Sequence, residues 1–545
     1  VGLEQALRGI HAPESRADVA RARKRLTWDE AFVLQVTLAQ RRAATRALDS
    51  PPRAGRPGGL LEAFDAMLPF ALTGGQLEVG QVLADELGRG SPMYRLLQGE
   101  VGSGKTVCAL RAMLQVVDSP AGGAREGQSV ARQGQAALLA PTEVLATQHA
   151  RGLSALLGDL ARAGELGAAE QATRVVLLTG SQGAAARREA LEAARTGEAG
   201  IVVGTHALLS DPVEFADLGL VVVDEQHRFG VEQRDALRGK GEAPPHVLVM
   251  TATPIPRTVA MTVYGDLEVS SLTELPAGRS PIATHVVPAG NARFLERTWQ
   301  RVREEVGKGH QAFVVCPRIG DGAKGDEPAG ALDGGDAEEG RRSPVAVLDT
   351  LSLLRDDLLA GLRVEALHGR MPAEEKDAVM RRVVAGDVDV LLSTTVIEVG
   401  VDVPNATVMV VLDADRFGVS QLHQLRGRVG RGSAAAVCLL VSEAEPGSPA
   451  YERLAAVAAT TDGAELARLD LAQRREGDVL GATQSGRRRT LKLLELLRHE
   501  ELITDARREA TALVAVDPDL SGSPALAAAL RRWLDEESAA YLEKA

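Results

Sequence analysis

Short apolar runs recur through the middle of the chain, each followed by a longer stretch with helical spacing. Tyr94 to Leu97, Ala136–Ala140, Arg174–Leu178, Ile201–Val203, Leu218–Val223 and His246–Met250 form a first series. Such runs are too short for helices, and their lack of polar/apolar alternation marks strands buried on both faces. Their alternation with helical stretches predicts a parallel, doubly wound sheet. The apolar pattern pauses around Leu275–Pro281, and a second series follows: Gln311–Cys316, Val364–Leu367, Val388–Ser393, Thr407–Leu412 and Ala435–Val441.

Helical patterns flank both series. Residues 1–48 carry Val33, Leu34, Val36 and Leu38 among many arginines, and Pro51 to Gly59 is a turn-rich break. After Val441 the pattern is again helical, with a dense apolar run from Leu491 to Leu497. Gly122–Gly134 reads as a polar surface loop, and the Gly/Asp/Glu-rich stretch from Gly320 to Arg342 as a disordered insertion that cannot bury a core. The expected fold class is therefore α/β, with two tandem doubly wound parallel-sheet domains. The expected organisation is a helical linker over 1–50, sheet domains over 51–280 and 281–445, and a mainly helical region over 446–545.

Composition narrows the class. A chain of 545 residues is too long for one core. Apolar residues at 45% with 25% charged residues are those of a globular protein, and no apolar run is long enough to cross a bilayer. With a charged start and no signal-peptide pattern, a cytoplasmic location is expected. Cys108, Cys316 and Cys438 lie far apart in apolar runs, which fits a reduced interior better than a disulfide framework or a metal site. A net charge of −12 is not that of a wholly basic nucleic-acid binder, although a motor gripping DNA in a local cleft does not need one. Aromatic residues at 3% argue against broad base-stacking platforms. The chain begins with Val, which suggests a start partway through a longer protein.

One stretch organises the chemistry. Gly99-Glu100-Val101-Gly102-Ser103-Gly104-Lys105-Thr106 has the spacing G-x-x-x-x-G-K-T, between an apolar run and a helical pattern. Glycines let such a loop point successive N–H groups at phosphate oxygens, and the helix behind adds its positive end. Lys105 can then reach the β- and γ-phosphates of a nucleotide, and Thr106 can hold Mg²⁺. Asp224 and Glu225 close the apolar run ending at Val223. Alone they could cap a helix; beside a phosphate loop, Asp224 suits Mg²⁺ and Glu225 suits activation of the attacking water. His227 follows as a candidate sensor of the γ-phosphate. The hydroxyls of Thr251 and Thr253 could link this site to the second domain, although such residues are also ordinary turn formers.

Farther along, Gln424-Leu425-Arg426-Gly427-Arg428-Val429-Gly430-Arg431 alternates arginine and glycine. Glycines disfavour a plain helix surface, so the segment suits a loop edge presenting guanidinium groups to developing negative charge. A solvated basic turn is the competing account. On the first reading, hydrolysis requires both sheets to close on one nucleotide.

Together, Gly99–Thr106, Asp224-Glu225-Gln226-His227, Thr251-Ala252-Thr253 and Gln424–Arg431 resemble the ordered motif set of superfamily 2 helicases and translocases. The runs Asp224–Gly230, Met250–Thr258 and Ser393–Asn405 resemble the RecG family of branched-DNA translocases. The resemblance implies two RecA-like domains, ATP and Mg²⁺ as cofactors, and ATP-driven remodelling of stalled forks and Holliday junctions. It implies that Gln424, Arg428 and Arg431 complete the catalytic site begun by Lys105, Asp224 and Glu225. Gln76 falls at the adenine-reading position, while Gly99, Gly102, Ser103, Gly104, Lys105, Thr106, Gly400 and Asp402 fall at nucleotide-binding positions. Pro141, Thr142, Thr205, Thr394, Thr395 and Glu398 fall where the family grips the tracked strand. Asp470–Gly486 resembles the translocation motif shared with the transcription-repair coupling factor, with Arg474 and Gln484 as DNA contacts; Arg475 and Glu476 stand where Gly and Pro are expected. The resemblance further implies a monomer, with single-strand-binding protein as a candidate partner and no membrane association. The family's branch-recognising wedge domain has no counterpart in the residues given. The alternatives are the motor of a transcription-repair coupling factor and a nucleotide-dependent DNA-binding switch without hydrolysis.

Overall fold

The computed structural model describes residues 1–119, 134–169, 171–180, 182–209, 212–224, 243–252, 267–274, 282–318, 345–394, 403–432, 434–473, 493–496 and 498–533. The chain opens with helices α1 (Leu3–His11), α2 (Arg16–Arg46), α3 (Leu60–Met67) and α4 (Gly74–Leu87). Ser15 caps α2 by accepting from Asp18 N–H, and a reciprocal Thr73–Gln76 box caps α4.

The first sheet is built from β1 (Tyr94–Gly99), α5 (Lys105–Asp118), β2 (Gln135–Leu139), α6 (Glu143–Leu157), β3 (Val175–Leu178), α7 (Ala184–Thr196), β4 (Ile201–Gly204), β5 (Leu218–Val223), β6 (His246–Thr251) and β7 (Glu268–Leu272). Its seven strands lie in the order β3-β4-β2-β5-β6-β1-β7, and the described pairings are parallel. Alternate residues feed two cores, as a sheet covered on both faces requires. Leu97, Leu138, Val203 and Val222 pack on one face, and Leu96, Leu139, Val202 and Val221 on the other.

The second sheet follows the same plan with β8 (Ile282–Pro288), α8 (Ala292–Gly307), β9 (Gln311–Val315), α9 (Val347–Leu353), β10 (Val364–Leu367), α10 (Ala373–Ala385), β11 (Val390–Ser393), β12 (Ala406–Val411), α11 (Val419–Arg426) and β13 (Ala436–Ser442). Its order is β10-β11-β9-β12-β13-β8, again with parallel pairings. Phe313, Val315, Met409 and Val411 fill one core, while Ala312, Val314, Val408 and Val410 fill the other. The molecule thus contains two RecA-like doubly wound domains in tandem.

The hydrophobic pattern misses β7 and β8. Both are edge strands. β7 reads Glu-Val-Ser-Ser-Leu and is only partly buried, and β8 alternates half-buried and exposed residues, so neither makes a continuous apolar run.

The C-terminal helices are α12 (Pro449–Ala459), α13 (Gly463–Gln473), α14 (Glu500–Val516) and α15 (Pro524–Trp533). α14 packs along α2, where Val36 and Ala39 share a core with Ala510 and Val514. The Leu491–Leu497 run is not helical over its described part, 493–496. There the carboxylate of Glu30, buried on α2, accepts from the N–H groups of Leu493 and Leu494 at 2.8 and 2.7 Å, and Leu494 and Leu496 are buried beside Ala31. Among the described residues no helix is long and apolar enough to cross a membrane.

Candidate nucleotide site between the sheets

The phosphate loop joins the C-terminal end of β1 to the first turn of α5. Gly102 and Gly104 hold φ of 85° and 89°, left-handed values that suit glycine. A Cβ on Gly104 would lie 2.1 Å from Gln76 Nε2, so any other residue here would also push the Gln76 amide off its bond to Ser103 O. Gln76 is buried; its amide donates to Ser103 O at 2.9 Å, and its Oε1 accepts from Thr73 N–H at 3.0 Å. The residue at the adenine-reading position therefore braces the loop from beneath. Lys105 Nζ curls over the loop and donates to Gly99 O and Glu100 O at 2.7 and 3.0 Å.

Strand order brings the remaining groups alongside. β5, β6 and β1 are neighbours, so Asp224, Ala252 and the phosphate loop emerge in one row at the C-terminal edge, where open parallel sheets bind ligands. Asp224 is pinned by its backbone N–H, which donates to Leu139 O at 2.9 Å. Its Oδ2 meets His149 Nε2 of α6 at 2.7 Å. A carboxylate can only accept, which selects the Nε2-protonated form of His149. No local pattern in the sequence signals this partner, which lies 75 residues from Asp224.

Arg428 and Arg431, just beyond α11, line the same cleft as Lys105, Thr106, His149 and Asp224, with Asp377 and Arg381 of α10 beside them. The cleft encloses about 760 Å³, ample for a nucleoside triphosphate. A smaller cavity of about 40 Å³ between Arg46, Arg89 and Glu268 cannot hold one.

The Arg/Gly segment divides its labour. Arg426 is buried and donates to Val457 O and Thr460 O, both at 2.7 Å, so it ties α11 to the end of α12. Burial pushes its guanidinium below the usual arginine range. Gln424 is buried on the same helix and does not line the cleft. Arg431 Nε donates weakly to Gly427 O at 3.4 Å. Gly430 takes the left-handed φ of 69° that turns the chain between Arg428 and Arg431.

The residues expected to meet DNA follow strand ends. Pro141 and Thr142 come after β2, Thr205 after β4 and Thr394 after β11. The Thr142 hydroxyl caps α6 by accepting from Leu145 N–H at 3.3 Å. The side chains of Thr205 and Thr394 are buried. Glu225, His227, Thr253, Thr395, Glu398, Gly400, Asp402, Arg474 and Gln484 lie outside the described residues. So do most of the polar stretches around Gly122–Gly134 and Gly320–Arg342.

The three cysteines are free and buried, and burial pushes Cys108 up to about 11 and Cys316 and Cys438 up to about 12. They are inert thiols. Among the described residues no cluster of His, Cys, Asp and Glu could hold a metal by itself.

Comparison with known proteins shows the family. Residues 81–262 match the DEAD/DEAH box helicase family and residues 341–433 the helicase conserved C-terminal domain. The ATP-dependent DNA helicase RecG of Mycobacterium tuberculosis is 52% identical over 99% of this chain and 70% of its own length. That of Mycobacterium leprae is 51% identical over 100% of this chain and 71% of its own length. A solved structure of RecG bound to a three-way DNA junction superposes with a TM-score of 0.67 at 35% identity, covering 91% of this chain and 59% of that one. With identity of this order over almost every residue, and both helicase domains in sequence, the chain belongs to the RecG family of ATP-dependent DNA helicases.

Proposed function

We propose that the chain is an ATP-driven translocase on double-stranded DNA that remodels branched DNA, including stalled forks and Holliday junctions, in recombination and repair. The observation that carries this reading is the shared cleft. Lys105, Thr106 and Asp224 come to it from the first sheet, and Arg428 and Arg431 from the second. One nucleotide held there touches both domains, so its turnover moves one against the other.

The residues fit ATP and Mg²⁺. The backbone curl at Gly102 and Gly104 suits phosphate oxygens, the Thr106 hydroxyl and Asp224 carboxylate are the hard oxygen ligands Mg²⁺ prefers, and Lys105 supplies positive charge. Bound ATP supplies the phosphoryl-transfer free energy. Glu225 is assigned the polarisation of water, and Gln76 the adenine contact alongside its bracing of the loop. Arg428 and Arg431 stabilise the charge that develops on the transferred group.

DNA is held without reading its bases. With the side chains of Thr205 and Thr394 buried, backbone N–H groups at these strand ends, together with the Thr142 hydroxyl, which accepts in its helix cap and keeps its own O–H to donate, are the donors for the strand's phosphates. Thr395, Glu398, Arg474 and Gln484 extend that track, and Gln424 supports the arginine segment. The chain acts as a monomer, with single-strand-binding protein as its candidate partner. The relatives favour neither a transcription-repair coupling motor nor a switch without hydrolysis.

The test is DNA-stimulated ATP hydrolysis together with strand separation on a model replication fork. Lys105→Ala is expected to lower hydrolysis at least about 100-fold, the scale on which electrostatic stabilisation of transferring phosphate acts. An unmodified chain that binds fork DNA but never turns over ATP would overturn the reading.

A further inference from the structure

Glu100 occupies two places at once. Its backbone carbonyl accepts from Lys105 Nζ at 3.0 Å, inside the phosphate loop. Its side-chain Oε1 accepts from the N–H of Gly463 at 3.0 Å, the first residue of α13 and 363 residues farther along the chain. His423 Nε2 of α11 stands 3.9 Å from the same oxygen. A carboxylate at a helix start is favoured by the unsatisfied N–H groups and the helix dipole. The neighbouring donors of α13 are already met, because Asp462 Oδ1 accepts from Ala464 and Glu465 N–H at 2.8 and 3.3 Å. Glu100 therefore completes a cap that α13 only partly supplies for itself.

α13 is not a loose end. Ser420 Oγ of α11 donates to Asp470 Oδ2 of α13 at 2.8 Å, and Arg426 fastens α11 to α12 and contacts His423 Nδ1 at 2.7 Å. Helices α11, α12 and α13 thus form one block that carries Arg428 and Arg431, and Glu100 joins this block to the phosphate loop by direct contact.

We propose that Glu100 is a positioning residue that couples the state of the phosphate loop to α13, so that ATP turnover is converted into work on DNA. The physical basis is competition for one ammonium group. Lys105 has three N–H donors, two of which are spent on the Gly99 and Glu100 carbonyls. Any phosphate that draws Lys105 away frees the Glu100 peptide, whose side chain holds α13. The inference rests on the ATP-driven reading above but assigns a task to a residue outside the reaction itself.

Gly463→Pro is the most selective variant. It deletes the donor N–H, and proline is well accommodated at the first position of a helix. Hydrolysis and fork separation would be measured together on the full chain. In Gly463→Pro, DNA-stimulated hydrolysis is expected to stay within about twofold, while base pairs separated per ATP fall at least about fivefold, a typical scale for coupling between sites. Glu100→Ala is expected to lower the same ratio, Glu100→Gln to restore it through its amide oxygen, and Glu100→Ala with Gly463→Pro to be no worse than either alone. Independently of activity, hydrogen exchange at residues 460–466 without nucleotide should quicken in Glu100→Ala. An unchanged ratio in Gly463→Pro beside an active parent, or unchanged exchange in Glu100→Ala, overturns the coupling alone. A parent without DNA-stimulated hydrolysis overturns the functional reading instead.

Discussion

His149 Nε2 donates to Asp224 Oδ2 across 2.7 Å, linking the middle of α6 to the carboxylate at the end of β5. Helix α6 begins beside Pro141 and Thr142, so one rigid element runs from a proposed DNA contact to the proposed metal ligand. A hydrogen-bond partner of this kind fixes the direction of the carboxylate lone pairs and tunes its affinity for a cation.

Removing that partner should act on metal use before anything else. His149→Ala is expected to raise the Mg²⁺ concentration giving half-maximal ATP hydrolysis about tenfold, and His149→Gln to recover part of it through its amide donor. A magnesium titration of hydrolysis checks this. Identical titration curves would mean that His149 does not aim the carboxylate.

Arg428 and Arg431 should separate binding from turnover. Each comes from the second sheet and is proposed to meet charge that develops late, so alanine at either is expected to cut hydrolysis by about 10³. Affinity for a fluorescent ATP analogue should change by less than about threefold, because ground-state contacts reside mainly in the phosphate loop. Equal losses in affinity and turnover would instead assign the arginines to substrate binding. Arg426→Ala is expected to behave differently and destabilise the helix block, since its guanidinium is spent on the Val457 and Thr460 carbonyls.

His246 should give the first domain an acid limit. It is fully buried at the start of β6, where its Nδ1 accepts from Met93 N–H at 2.9 Å. Burial first, and the nearby Arg53 charge second, push its pKa from 6.5 to about 4. A base with a depressed folded-state pKa takes its proton more readily when unfolded. Its contribution is therefore complete above about 6.5 and drains away as pH falls toward 4, by roughly 3 kcal/mol in all. Urea unfolding midpoints across that range should fall steeply in the parent and more gently in His246→Asn, whose side-chain oxygen can still accept from Met93. Parallel slopes would assign the acid sensitivity to other groups.

How much was readable beforehand depends on sequence distance. The central strands announce themselves because both faces are buried, and the phosphate loop because its parts are contiguous. Two of the four described edge strands do not: Glu268–Leu272 and Ile282–Pro288 each leave residues exposed and break the apolar run, whereas the edges at Val175–Leu178 and Val364–Leu367 stay largely apolar. The contacts that organise the cleft are also hidden. His149 and Asp224 are 75 residues apart, and Glu100 and Gly463 are 363 apart, with nothing local to pair them. Spacing alone also treats Arg426, Arg428 and Arg431 alike. Only the packing of α11 against α12 turns the first into a tether and leaves the other two lining the cleft.

The partnership of α2 with α14 bears on how the molecule is made. Gln40 on α2 donates to the carbonyl of Pro518, 478 residues later. At roughly 5–20 residues per second, a ribosome needs on the order of 25–100 s to bridge that interval. Throughout it, the apolar stripe around Val36 and Ala39 waits without its covering surface, while both sheets can fold. A nascent chain stalled before residue 500 would carry a complete motor and an uncovered helix, the kind of surface that holding chaperones recognise.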